Sequence, residues 1–213
     1  MSAPRAKDRA ALRRLCRYVL GAPRMVYLFK WQEPNQALWV FCDIDFAGCP
    51  ATRRSTSGGG ALYGTHLLKH WSSTQKAITL SSGEAELGGV VKGATEAIGL
   101  RSLAADLELE LPIELHADSS AAIGICRRAG VGKVRHLAVG QLWIQERLRE
   151  GSLRLFKILG TLNPADLCTK FLPAAGISSH LQTLGLRPED GRAASAPRVS
   201  AEIQAWLQQP SKH

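Results

Sequence analysis

Leu38-Trp39-Val40-Phe41-Cys42-Asp43 is an apolar run that ends on a carboxylate, and Ile113-Glu114-Leu115-His116-Ala117-Asp118 repeats the design further along the chain. Both runs have the length and the branched or aromatic content of strands. An acid at a strand end sits at the rim of a sheet, where elements distant in sequence meet. Two more carboxylates fall at element starts. Glu86 lies in the first turns of a helix opened by Ser81-Ser82-Gly83-Glu84, and Asp166 in the first turn of a short helix opened by Asn163-Pro164. Four such groups on one sheet edge would bind hard divalent cations. Two cations held about 3.5–4 Å apart are an engine of phosphodiester cleavage, so the pattern points to a metal-dependent nuclease.

Outward from these runs, periodicity predicts the remaining elements. Residues 5–20 read as a helix with the apolar stripe Leu12, Leu15, Cys16, Val19 and Leu20 opposite arginines, and Met25–Phe29 as a short strand. A strand over 36–43, a polar loop from Ala47 to Gly60, and strands over 59–64 and 67–73 give an antiparallel meander. A long helix (82–108), a strand (113–117), a helix (119–129), a basic turn, a helix (135–149), a strand (152–158) and a short helix (163–171) follow. The order βββαβααβα implies an α/β fold, a mixed five-stranded sheet flanked by helices. Residues 1–35 read as a basic helix and connection, 36–173 as the domain, and 174–213 as a flexible tail in which only 199–208 looks weakly helical.

With 213 residues and 45% hydrophobic content, the chain has room for one domain with a real core plus appendages. Its net charge of +9 is concentrated at one end: Arg5, Lys7, Arg9, Arg13, Arg14, Arg17, Arg24 and Lys30 stand against the single acid Asp8. A basic arm beside an acidic metal site suits a polyanion-processing enzyme, and a solvated basic helix is the plainer reading. Cys16, Cys42, Cys49, Cys126 and Cys168 form no zinc-type spacing and read as reduced intracellular thiols. No stretch approaches the length of a membrane span, and no signal-peptide run opens the chain, so a soluble, non-secreted protein is expected.

Each candidate has an ordinary structural role beside its chemical one. Asp43 and Asp45 point the same way along a strand, so one is a ligand candidate and the other a neighbour or loop anchor. Glu86 shares a small apolar face with Val90, Gly93, Ala94 and Ala97, whereas Glu84 shares a solvated one with Gly88, Lys92 and Thr95 and is the expected capping partner of Ser81. Glu86 is therefore the better ligand. Asp118 serves equally as a helix N-cap, and Asp166, at N3, equally as a partner of the helix dipole. Gly88, Gly89, Gly93 and Gly99 each cost about 1 kcal/mol relative to Ala in a helix, which close packing on the sheet would explain. Arg53, Arg54, Ser55 and Thr56 suit phosphate contact, as do Arg127, Arg128, Lys133, Arg135 and His136. An exposed polar loop, or for His136 a packing role, is the alternative. Gly58-Gly59-Gly60 lacks the Gly-Lys-Ser/Thr of a phosphate loop.

The order and context of these residues resemble the ribonuclease H domain of Ty1/copia-type retrotransposon polyproteins. Asp43-Ile44-Asp45-Phe46-Ala47-Gly48, Arg53-Arg54-Ser55-Thr56-Ser57-Gly58, Trp71-Ser72-Ser73-Thr74-Gln75-Lys76 and Leu80-Ser81-Ser82-Gly83-Glu84-Ala85-Glu86 carry the resemblance. So do Ala117-Asp118-Ser119-Ser120-Ala121-Ala122-Ile123, Arg135-His136-Leu137 and Asn163-Pro164-Ala165-Asp166-Leu167-Cys168-Thr169-Lys170. It covers about residues 36–173, and residues 10–30 look like the segment that joins the reverse transcriptase to this domain.

The resemblance implies that Asp43, Glu86, Asp118 and Asp166 bind two Mg²⁺ (or Mn²⁺), with Asp43 bridging them. It implies cleavage of the RNA strand of an RNA/DNA hybrid, leaving a 5′-phosphate and a 3′-hydroxyl, and a reverse transcriptase region of the same polyprotein as partner. The setting it implies is intracellular, in cytoplasmic virus-like particles or the nucleus. The chain departs from the family at Gly59, where an aromatic is usual, at Cys49, where an acid is common, and at Gln141-Leu142-Trp143. It also shows no histidine in the loop before Asp166, which predicts a modest rate. A catalytically silent, hybrid-binding or polymerase-supporting domain of a degenerate element is the second reading. An integrase core is disfavoured because the glutamate here comes second in order.

Overall fold

The computed structural model describes residues 4–34, 37–130, 132, 139–191, 193 and 195. In chain order they form α1 (Ala6–Gly21), β1 (Arg24–Tyr27), β2 (Leu38–Asp45), β3 (Thr56–Tyr63), β4 (His66–Thr74), α2 (Ser82–Asp106) and β5 (Ile113–Ala117). There follow α3 (Ser120–Arg127), α4 (Val139–Arg149), β6 (Arg154–Lys157), 3₁₀ turns at Gly160–Leu162 and Pro164–Cys168, α5 (Ala174–Thr183) and β7 (Leu186–Glu189). The described residues of Met1–Val26 and Arg187–His213 cluster as one unit, and Tyr27–Leu186 as a second.

The larger unit is built on a sheet of order β4-β3-β2-β5-β6. β2 runs antiparallel to β3 and parallel to β5, β3 runs antiparallel to β4, and β5 runs parallel to β6. This mixed five-stranded sheet flanked by helices is the ribonuclease H-like arrangement expected. β2 is central and covered on both faces, which is why it reads as a continuous apolar run rather than an alternating one. It has the expected length but lies two residues further along than 36–43. The ladder to β3 continues through Asp43↔Gly58 to Asp45↔Thr56, so Asp43 lies inside the strand rather than at its end.

The glycines of α2 sort by what faces them. A Cβ on Gly93 would stand 2.2 Å from Cys42 Sγ, and one on Gly89 would stand 2.7 Å from Ile44 Cγ2, so both let the helix lie close against β2. Gly99 faces open space and has no such reason. Leu87, Val90, Ala94 and Ala97 complete the buried face and meet Val40, Cys42, Ile113 and Leu115 in the main core. A second core lies around Phe41, Leu62, Leu67, Ala165 and Leu184.

The late part of the chain departs from expectation. The stretch 174–189, read as tail, holds α5 and β7, and β7 pairs with β1. Its Ala, Ser and Gly content hid an ordinary helix. Pro173 precedes the first turn, Gly185 at φ +65 follows the last, and His180 and Leu184 are buried. The apolar stripe of α1 is not buried: Leu12, Leu15, Val19 and Leu20 are all more than half exposed. The short helix at Asn163 is a 3₁₀ turn, shorter than expected. The segments 135–138 and 199–208 lie outside the described residues.

Candidate active site

β2 carries the buried Asp43, α2 the half-buried Glu86, and the residue after β5 is the half-buried Asp118. One oxygen from each of the three lies within 4.8 Å of the others. Burial first, then the charges of Asp43 and Asp118, push the Glu86 carboxyl up to about 8. Burial also raises Asp43, against the lowering effect of a hydrogen bond from Thr169 and the ammonium of Lys170. The fold therefore holds Asp43 and Glu86 where their charges cost free energy. A set made only of hard carboxylate oxygens fits Mg²⁺ or Mn²⁺, and a divalent cation would offset that cost.

Local structure explains why these side chains are available. Ser119, not Asp118, caps α3, its hydroxyl accepting from the Ala122 N–H. Asp118 is thereby left to the cluster. Asp45 leans on the following loop, with Oδ2 only 1.6 Å from where a Gly48 Cβ would stand. The reading of Glu84 as solvated is corrected: it is buried, and its carboxylate accepts from the Leu80 N–H while its own N–H donates to Ser81 Oγ. It closes the start of α2 and leaves Glu86 as the helix's contribution.

Asp166 lies at the edge of this group, outside the three-oxygen cluster. Its connection is a lysine: Lys170 Nζ donates to Asp166 Oδ1 at 2.8 Å and to Asp43 Oδ1 at 3.1 Å. Burial works against the Lys170 ammonium, but the hydrogen bonds and charges of Asp166 and Asp43 outweigh it and raise its pKa. Thr169 Oγ1 donates to the other oxygen of Asp43. Sequence reasoning gave Thr169 and Lys170 no role, although the i,i+4 spacing of Asp166 and Lys170 was a usable signal. Asn163 is fully buried; its amide donates to the Cys42 carbonyl at 2.9 Å while its Oδ1 accepts from the Ala165 N–H. One side chain thus fastens the Asp166 turn beside Asp43.

The candidate phosphate contacts divide. Arg53 and Arg54 are exposed on the loop before β3, and Arg53 holds a left-handed φ of +56 with its N–H donating to the Cys49 carbonyl. Ser55 is a correction: it is buried, and its hydroxyl accepts from the Ala47 N–H, so it closes the loop rather than facing a phosphate. Thr56 is half-buried and opens β3. Arg127 donates to the Leu155 carbonyl, and Arg128 is half-buried beside Gly132. Lys133, Arg135 and His136 lie outside the described residues. Gly59 departs from the family pattern for a visible reason, since the Trp71 ring would be 2.1 Å from a Cβ there.

No protein-family model matches the chain. Over 165 residues it is 28% identical to the Retrovirus-related Pol polyprotein from transposon TNT 1-94 of Nicotiana tabacum, a match covering 76% of this chain and 12% of that one. Over 189 residues it is 26% identical to the Pol polyprotein from transposon RE1 of Arabidopsis thaliana, covering 87% and 13%. Its homologues are Pol polyproteins of Ty1/copia-type retrotransposons. The chain spans only 12–13% of the length of those two polyproteins. Among solved structures, LC11-RNase H1 isolated from compost matches 62% of this chain and 92% of its own, at 15% identity and a TM-score of 0.44. The strand order β4-β3-β2-β5-β6 of this chain carries the fold.

Proposed function

We propose that this domain is an endoribonuclease that cuts the RNA strand of RNA/DNA hybrids and works beside the reverse transcriptase region of a copia-type polyprotein. The observation that carries it is the convergence of Asp43, Glu86 and Asp118 within 4.8 Å in a homologue of those polyproteins. These carboxylates, with Asp166 at their flank, would hold the Mg²⁺ or Mn²⁺ ions. When bound, two such ions supply Lewis-acid activation of water and stabilisation of the leaving 3′-oxygen. The chain's own residues set the stage. Thr169 fixes the Asp43 carboxylate, Asn163 locks the Asp166 turn to β2, and Arg53 and Arg54 meet the substrate backbone. Lys133, Arg135 and His136 belong to the same proposed backbone contact. Preference for a hybrid comes from 2′-hydroxyl contacts and groove shape rather than from reading bases. No described helix is long and apolar enough to cross a membrane; the proposed setting is intracellular, in cytoplasmic virus-like particles or the nucleus.

The test is strand and substrate choice. With Mg²⁺ present, an RNA/DNA hybrid labelled on either strand should be cut in the RNA only, leaving 5′-phosphate and 3′-hydroxyl ends. Single-stranded RNA and duplex DNA should stay intact, and EDTA should stop the reaction. The second reading, a silent hybrid-binding domain, is favoured by the neutralising grip of Lys170 on Asp43 and Asp166. It prevails if the folded protein binds hybrid in Mg²⁺ and leaves both strands whole.

A further inference from the structure

Lys170 has no part in the cleavage reading above, yet its Nζ sits between the carboxylates of Asp43 and Asp166. It is 3.1 Å from Asp43 Oδ1 and 2.8 Å from Asp166 Oδ1, and its side chain is 40% exposed. Asp43 Oδ2 is taken by Thr169. Asp43 thus belongs both to the three-carboxylate cluster and to a lysine bridge with Asp166. A cation that joined Asp43 to Asp166 would lie beside the Lys170 ammonium, and a divalent ion there is opposed by like charge.

We propose that Lys170 is a positioning residue that holds the second cation position in the nucleic-acid-free protein, so that the site fills in two unequal steps. Asp43, Glu86 and Asp118 take the first divalent ion with Lys170 in place. A second ion bridging Asp43 and Asp166 enters only as Lys170 swings out along its exposed stem. This inference rests on the metal-dependent reading of the site and adds to it the order of loading.

The test counts ions in the full chain without nucleic acid, using Mn²⁺ titrations followed by electron paramagnetic resonance, with Mg²⁺ calorimetry in parallel. The wild type should bind one ion at least about tenfold more tightly than a second. Lys170→Met, which keeps the stem and removes the charge, should tighten the second ion about tenfold or more while leaving the first within a few-fold. Lys170→Arg, which keeps the charge, should retain the wild-type pattern and controls for changes in packing. Melting curves in EDTA verify that each variant is folded. A second-ion affinity unchanged in Lys170→Met overturns the inference even if the nuclease reading stands. Failure of the wild type and of Lys170→Met to bind any ion overturns both, and does so separately from the first outcome.

Discussion

At the scale of single residues, the chemistry concentrates on acids that the fold holds against their own repulsion. Glu86, raised to about 8 from its ordinary 4.5, binds its proton more tightly folded than unfolded. Its contribution to stability is therefore fully present below pH 4.5 and is lost as pH rises towards 8. Asp43, also raised, acts in the same direction. In EDTA the melting temperature should fall between pH 5 and 8, and Glu86→Gln should flatten that slope; a profile that rises over this range would contradict the assignment. Divalent-ion affinity should climb over the same window, because the ion competes with the Glu86 proton. Much of this site was legible before the fold was known. Glu86 was separated from Glu84 by the small apolar face it shares with Val90 and Ala94, although Glu84 proved buried too. Lys170 was not legible as a partner of Asp43, because that contact spans 127 positions and depends on how the 3₁₀ turn docks on β2.

At the scale of elements, two contacts should dominate how firmly the site is built. Asn163→Ala would remove the cap of the 3₁₀ turn and leave the Cys42 carbonyl buried without its amide. The expected cost is about 2–4 kcal/mol by denaturant unfolding, with a larger relative loss of metal binding than of helix content. The glycines of α2 give a paired test on one helix. Gly93→Ala should destabilise by about 1–2 kcal/mol, because its Cβ meets Cys42 Sγ and the overpacking outweighs the helical gain. Gly99→Ala, facing open space, should stabilise by about 0.5–1 kcal/mol. Equal effects at the two positions would contradict the close packing of α2 on β2. Strands and long helices were readable because periodicity is local. The tail was not, because α5 is short and rich in small residues, and its helix is defined by Pro173, Gly185 and the burial of Leu184 against distant residues.

At the scale of the whole molecule, the chain carries a net charge of +9, concentrated in residues 1–30, while Asp43, Glu86 and Asp118 form an acidic cluster. Replacing Arg54 with Ala should weaken hybrid binding about equally across sequences and reduce the slope of log affinity against log salt by about 0.7–0.9 for one lost phosphate contact. A change in sequence preference with no change in slope would place Arg54 elsewhere than on the backbone. The sheet order β4-β3-β2-β5-β6 follows from a meander, a long helix and two parallel returns, and that succession was visible in the chain. What the succession could not show is that α1 leaves its apolar stripe exposed, since a stripe records an amphipathic helix and not what covers it. The central claim, that Asp43 anchors a metal-dependent cut in the RNA strand of a hybrid, is tested most directly by single-turnover cleavage of an end-labelled hybrid. Wild type and Asp43→Asn would be compared in Mg²⁺, both first shown to melt cooperatively. The account predicts RNA cleavage by the wild type and a loss of about a thousandfold or more in the variant. Equal cleavage by the two proteins, or none by the folded wild type, would contradict it.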